Sequence, residues 1–163
     1  MARIFWFRRD LRLSDNIALN TAIQAAKADG EAEVCGVYAL NTDDFYALSG
    51  IRQHSLVESL AALGSSMQGK LVIRHGKVAE SLVATAQAAK AKVVHATRAF
   101  DPVGVAEQNE VGLALKSAGV HLQLDDSYYA VAPGTVTKPD GGPYRVYTPF
   151  FNNWYKAGWS APV

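Results

Sequence analysis

The chain has 163 residues, 16 basic and 15 acidic side chains, a formal net charge of +1 and an apolar fraction of 49%. That length gives one domain with a sizeable core. The even charge balance excludes a dedicated nucleic-acid-binding module, which carries a basic excess on one face, and the single cysteine excludes an internal disulfide.

The apolar run at 4–7, IFWF, reads as a buried strand and leads directly into RRDLRLSDN. It is too short for a secretory signal and precedes the arginines, the reverse of a signal's order. With no run of membrane-spanning length, the chain is expected to be cytoplasmic. Nucleotide-binding α/β domains follow their first strand with glycines; this one places three arginines and an aspartate there.

A helix opens next, with Ser14 or Asp15 as N-cap, turns Ile17, Ala22, Ile23 and Ala26 inward and stops before Gly30. VCGVYAL at 34–40 is the second strand, in which Cys35 reads as a core thiol. After an NTDD loop, IRQHSLVESLAALGSSM sets Leu56, Leu60, Leu63 and Met67 on one helical face. A strand at 71–74 precedes a third helix with Val78, Leu82, Ala86 and Ala89 on one stripe. After a strand at 93–95, Asp101 and Pro102 read as the N-cap and first residue of a fourth helix that ends at Gly119. A fifth strand covers 120–124.

Five strands alternating with helices predict an α/β fold, a doubly wound five-stranded parallel sheet of Rossmann-like order 3-2-1-4-5. Ligands of such sheets sit beyond the carboxyl ends of the strands where the order reverses, here between the strands ending near Phe7 and Thr97. The loops RRDLRLSDN and TRAFDPVG converge there, with NTDD and Arg52 as a side wall. Each residue also has a structural reading: Arg8, Arg9, Asp10 and Arg12 as a salt-bridged loop, Asp101 as a cap, Tyr38 as core. His54, His75, His95 and His121 lack metal-ligand spacing and read as structural or surface residues. No phosphate-binding glycine loop and no nucleophile elbow is present.

The last forty residues differ in character. They hold five of the six prolines, and seven of the sixteen aromatic residues fall between Tyr144 and Trp159. They show no strong periodicity. Rings this dense either pack back on the domain or lie under something else.

WFRRDLRLSDNIAL at 6–19 closely resembles the opening of the DNA photolyase/cryptochrome family, and GIRQHSLVESLAAL, LVIRHGKV, FDPVG and GGPYRVYTPFFNNWYKAGW continue the likeness in order. The closing motif is most similar to bacterial class I cyclobutane pyrimidine dimer photolyases. The resemblance implies an antenna domain at 1–130 and, at 131–163, a linker to a helical FAD domain absent from this chain. It implies an antenna pigment (methenyltetrahydrofolate, 8-hydroxy-5-deazaflavin or a flavin) held by Arg9, Tyr38, Asn41, Ile51, Arg52, Phe100 and Asp101.

FAD, UV-damaged DNA and catalysis would belong to the helical domain, so these 163 residues are expected to carry no catalytic residue, no metal and no repair activity. The full-length parent is expected to be a monomeric deoxyribodipyrimidine photo-lyase. The resemblance leaves the pigment open, because Ala99, Val103, Gly104 and Val105 replace residues that carry polar groups in pigment-binding relatives. The alternative is a cryptochrome photoreceptor that signals without repair. A free-standing small-ligand-binding domain is a third reading, weighed down by the exposed apolar patch its tail would present.

Overall fold

The computed structural model describes residues 2–30, 33–126 and 129–163. Strand β1 (Arg3–Phe7) lies at the centre of a five-stranded, all-parallel sheet and is followed in the chain by helix α1 (Ile17–Ala28), β2 (Val34–Leu40), α2 (Thr42–Ala47) and α3 (Gly50–Ser66). Then come β3 (Val72–His75), α4 (Val78–Ala88), β4 (Val93–Thr97), α5 (Pro102–Ser117), β5 (His121–Asp125) and α6 (Tyr147–Ala157). The order across the sheet is β3-β2-β1-β4-β5, as the sequence predicts.

The unbroken apolar run of β1 has a direct cause. Ile4 and Trp6 point into the core beneath α4 and α5, with Leu82, Val111 and Leu115. Phe5 and Phe7 point into the opposite core with Leu19, Ala22 and Leu63. A central strand covered on both faces has no solvent side, so it shows no polar alternation. Its register sets Phe7 beside Tyr38 of β2 and Trp6 beside Ala96 of β4. Cys35 is half-buried against the first core, and burial pushes its thiol pKa up.

Several boundaries differ from expectation. The N-cap of α1 is Asn16, whose Oδ1 accepts from the Leu19 N–H (3.0 Å); Asp15 instead adopts φ +49°. β4 runs on to Thr97, a fully buried threonine. NTDD is no plain loop: Asn41 caps α2, and Asp43 and Asp44 lie in its first turn, where a helix favours negative charge. That helix buries no residue, so it leaves no apolar period to read. Asp101 and Pro102 open α5 as predicted.

The largest departure is α6, a helix inside the proline-rich tail. Its five rings occupy positions 147, 150, 151, 154 and 155. Pro149 falls in its first turn, where a missing N–H is harmless, and Gly158 ends it at φ +67°. Beyond α6 the chain returns to the β1–α1 loop: the Asp15 N–H donates to the Val163 carbonyl (3.0 Å), and the Val163 N–H donates to Asp15 Oδ1 (3.3 Å).

Candidate functional site

The strand order sets the carboxyl ends of β2, β1 and β4 side by side. After Phe7 the chain turns Arg8 inward and Arg9 outward. The Arg8 side chain is only 5% exposed. Its guanidinium lies 4.5 Å from the centre of the Trp6 ring. It donates to Glu107 Oε2 (2.6 and 3.2 Å) and to the carbonyls of Gly104 (2.9 Å) and Thr97 (3.4 Å). A charge at this depth is tolerated because its N–H groups find acceptors and a counter-charge. Arg8 therefore ties β1 to β4 and α5, filling the floor of the switch point with the protein's own cation.

Arg9 reaches across the mouth. Its Nη1 and Nη2 donate to Asp101 Oδ2 and Oδ1 at 2.6 and 3.1 Å, the paired geometry that suits guanidinium and carboxylate. Asp101 Oδ1 also accepts from the Gly104 N–H (3.0 Å). That bond first, and Arg9 second, hold the Asp101 carboxyl below the usual carboxylate range. Capping and cross-mouth pairing thus coexist in one side chain.

Beside this pair lies a cavity of about 200 Å³ with Arg8, Arg9, Tyr38, Asp44, Gly104 and Glu107 among its walls. Burial, and then the Glu107 carboxylate, push the Tyr38 phenol pKa up, so near neutral pH it is an uncharged hydrogen-bonding group. Among the residues expected to form the site, Arg9 and Tyr38 meet at this cavity and Asp101 joins through Arg9. Asn41 accepts from the Asp43 N–H (3.1 Å) and donates to Asp44 Oδ2 (2.7 Å), so it orients an acid on the wall. Ile51 and Arg52 stand exposed on the first turn of α3, and Phe100 turns edge-on to Tyr129 (5.5 Å, 80°); none of these three is among the cavity's walls.

Sequence reading missed Glu107, which no local motif marks. Only the fold brings it to Arg8, 99 positions away.

A second polar cluster holds the loop itself. Asp10 is buried and accepts from Asn16 Nδ2 (3.1 Å), from the Thr97 hydroxyl and from the Arg8 N–H (3.4 Å). Asn16 Nδ2 also donates to the Arg12 carbonyl (3.2 Å). The acid among the arginines is thus a scaffold that sets where Arg8 and Arg9 point. On the outer side of the same loop an open groove of about 840 Å³ runs to α3 along Ser59, Ala62 and Ser66.

Gly104 sits where a Cβ would lie 2.6 Å from Ala99 Cβ and 2.8 Å from Asp101 Oδ2. Gly104→Ala is expected to displace the Asp101 cap and to destabilise the protein by about 1–3 kcal/mol, read from urea unfolding. An unchanged midpoint would mean that the first turn of α5 yields freely.

Among the described residues, no group of three or more His, Cys, Asp or Glu is placed to hold a metal, and no helix is long and apolar enough to cross a membrane. The crevice offers fixed walls, a paired arginine and a neutral phenol, an arrangement suited to binding and orienting a small molecule.

The family model for DNA photolyase matches residues 3–163. The chain is 34% identical over 151 residues to a deoxyribodipyrimidine photo-lyase of Agrobacterium fabrum, covering 91% of this chain and 30% of that protein. It is 32% identical over 166 residues to one of Synechococcus sp., covering 98% and 33%. The crystal structure of a bacterial class III photolyase from Agrobacterium tumefaciens superposes with a TM-score of 0.84 at 31% identity, over 99% of this chain and 33% of that one. The chain therefore spans about a third of the length of these relatives.

Proposed function

Because the chain belongs to the DNA photolyase family, we propose that its α/β unit, residues 1–130, is a cytoplasmic antenna domain that holds a light-harvesting pigment. Residues 131–163 are the linker to a helical FAD domain, and the longer protein repairs UV-induced pyrimidine dimers. The observation that carries this reading is the site at the strand-order reversal. It combines a carboxylate-paired arginine with a small cavity, and the floor that phosphates take in nucleotide-binding folds is occupied by Arg8.

The cavity of about 200 Å³ is smaller than the roughly 300–1,000 Å³ of drug-sized ligand sites. It would therefore hold only part of a folate, deazaflavin or flavin. When bound, the pigment supplies absorption and non-radiative transfer of excitation. The chain's own residues would supply a fixed orientation: Tyr38 and Asp44 line the cavity and would offer hydrogen bonds to the pigment, with the Arg9–Asp101 pair beside it. No residue of these 163 is assigned to bond breaking.

Reconstitution tests the reading. The chain is titrated with methenyltetrahydrofolate, 8-hydroxy-5-deazaflavin and FMN while pigment fluorescence anisotropy is followed. One of the three is expected to bind, and Tyr38→Phe to weaken it by about 2- to 10-fold, the worth of one hydrogen bond. Failure of all three at near-millimolar concentration would sink the antenna assignment. Blue-light repair by the longer protein separates a photolyase from a signalling cryptochrome.

A further inference from the structure

Two arginines line the crevice, and each already has a carboxylate of its own. Arg8 pairs with Glu107 at 2.6 Å and Arg9 with Asp101 at 2.6 Å. Arg8 has nothing left for an incoming anion, because its three nitrogens are committed to Glu107 and to the carbonyls of Gly104 and Thr97. A third acid, Asp44, stands on the same wall. Among the described residues no cation pairs with it. Its side chain accepts only from an uncharged amide, Asn41 Nδ2 to Oδ2 at 2.7 Å. Two cations therefore face three carboxylates, and one negative charge is left over. Tyr38 does not change that balance near neutral pH, because burial and Glu107 push its phenol pKa up.

We propose that Asp44 makes the crevice select its ligand by charge, taking a ring that is neutral or positive and turning away one that is anionic. This rests on the pigment reading above and ranks the pigments within it. Methenyltetrahydrofolate, whose ring carries a delocalised positive charge, and a neutral flavin are favoured. 8-Hydroxy-5-deazaflavin is disfavoured once its hydroxyl has ionised. The selecting element is repulsive: an anionic ring entering the cavity meets a carboxylate with no counter-charge, and both arginines are already engaged. Asp44 is exposed, so water screens it. The discrimination is therefore about 3- to 10-fold, not the far larger factor of a buried charge.

Two rings of nearly one shape test it, titrated into the chain near pH 7 and at low salt while their fluorescence anisotropy is followed. One is 8-hydroxy-5-deazaflavin as its anion, the other its 8-methoxy ether, which cannot ionise. The ether is expected to bind about 3- to 10-fold more tightly. Asp44→Asn keeps an acceptor for Asn41 and removes the charge. It should bring the two affinities within about 2-fold by strengthening the anion and not the ether. Methenyltetrahydrofolate should respond in the opposite sense and weaken about 3- to 10-fold in the same variant. Asp43→Asn, on the same turn of α2 but not among the cavity's walls, should leave the ratio unchanged. Salt at about 0.5 M should compress the ratio of the parent. A preference that survives Asp44→Asn, or an unchanged affinity of the charged rings in that variant, would overturn the charge selection and leave the pigment site standing. Failure of every ring to bind at near-millimolar concentration would remove the site and the selection together.

Discussion

Asp10→Ala is expected to lose about 3 kcal/mol of stability, a fall of roughly 6–12 °C in Tm for a chain of this length. The reason is the number of groups left behind. Asn16 Nδ2, the Thr97 hydroxyl and the Arg8 N–H all donate to this one carboxylate, and Thr97 and Asn16 are themselves buried. Removing the acceptor leaves their donors in a place that water reaches poorly, which is where an unmade hydrogen bond costs most. Asp10→Asn keeps acceptor capacity and should lose about half as much. A double-mutant cycle with Thr97→Val isolates the pair: the coupling should exceed about 1 kcal/mol. A loss below that figure for the alanine variant would mean that the loop rearranges and Asp10 is not its anchor. Pigment binding should fall with stability, since the same network aims Arg9.

Acid is expected to destabilise the protein through His95. The imidazole is buried in the middle of β4, and its Nε2 lies 3.1 Å from Arg3 Nη1. Arginine can only donate, so Nε2 accepts and the proton sits on Nδ1, which has no partner among the described residues. Burial first, then Arg3, then His121 lower the pKa from 6.5 to about 4. In the unfolded chain His95 takes up a proton as pH falls through about 6.5, while in the folded chain it waits until about 4. Its contribution is therefore complete above pH 6.5 and is lost progressively down to about 4, a total of about 3 kcal/mol. His95→Gln retains an acceptor for Arg3 and removes the titration. Urea midpoints measured from pH 7 to pH 4 should slope steeply for the parent and much less for this variant. Parallel slopes would assign the acid sensitivity to other groups.

The legible parts of the fold were those in which one local signal decides the structure. β1 announced itself because a strand buried on both faces must be apolar throughout, and Asp101 with Pro102 announced α5 because cap and first turn are adjacent in sequence. Five strands alternating with helices imply a parallel sheet covered on both faces, and the common doubly wound order 3-2-1-4-5 is the one present. α2 was not legible because a six-residue helix that buries no side chain leaves no apolar period to read. In α6 the spacing of the rings was present, but the prolines around it argued for irregular chain.

The site was legible to a similar depth. Both ends of the Arg9–Asp101 pair lie in loops that the sheet order brings together, so their nearness was legible in the sequence. Glu107 was not, since its role exists only once α5 packs beside β1. The Arg8-to-Glu107 link decides how much of the crevice is left for a ligand, and a loop motif cannot report it. Ile51 and Phe100 rest on family likeness alone, Arg52 also on its expected place in the side wall, and none of the three is among the walls of the small cavity.

The order β3-β2-β1-β4-β5 has a consequence for how the chain matures on the ribosome. β1 emerges first and can pair with β2 within some forty residues, yet its other edge waits for β4, which begins at Val93. Until then a row of four large apolar side chains borders an open edge, the kind of surface that recruits a neighbouring nascent chain. Slowing translation between α3 and β4 should therefore lower the soluble yield more than an equal pause after β5.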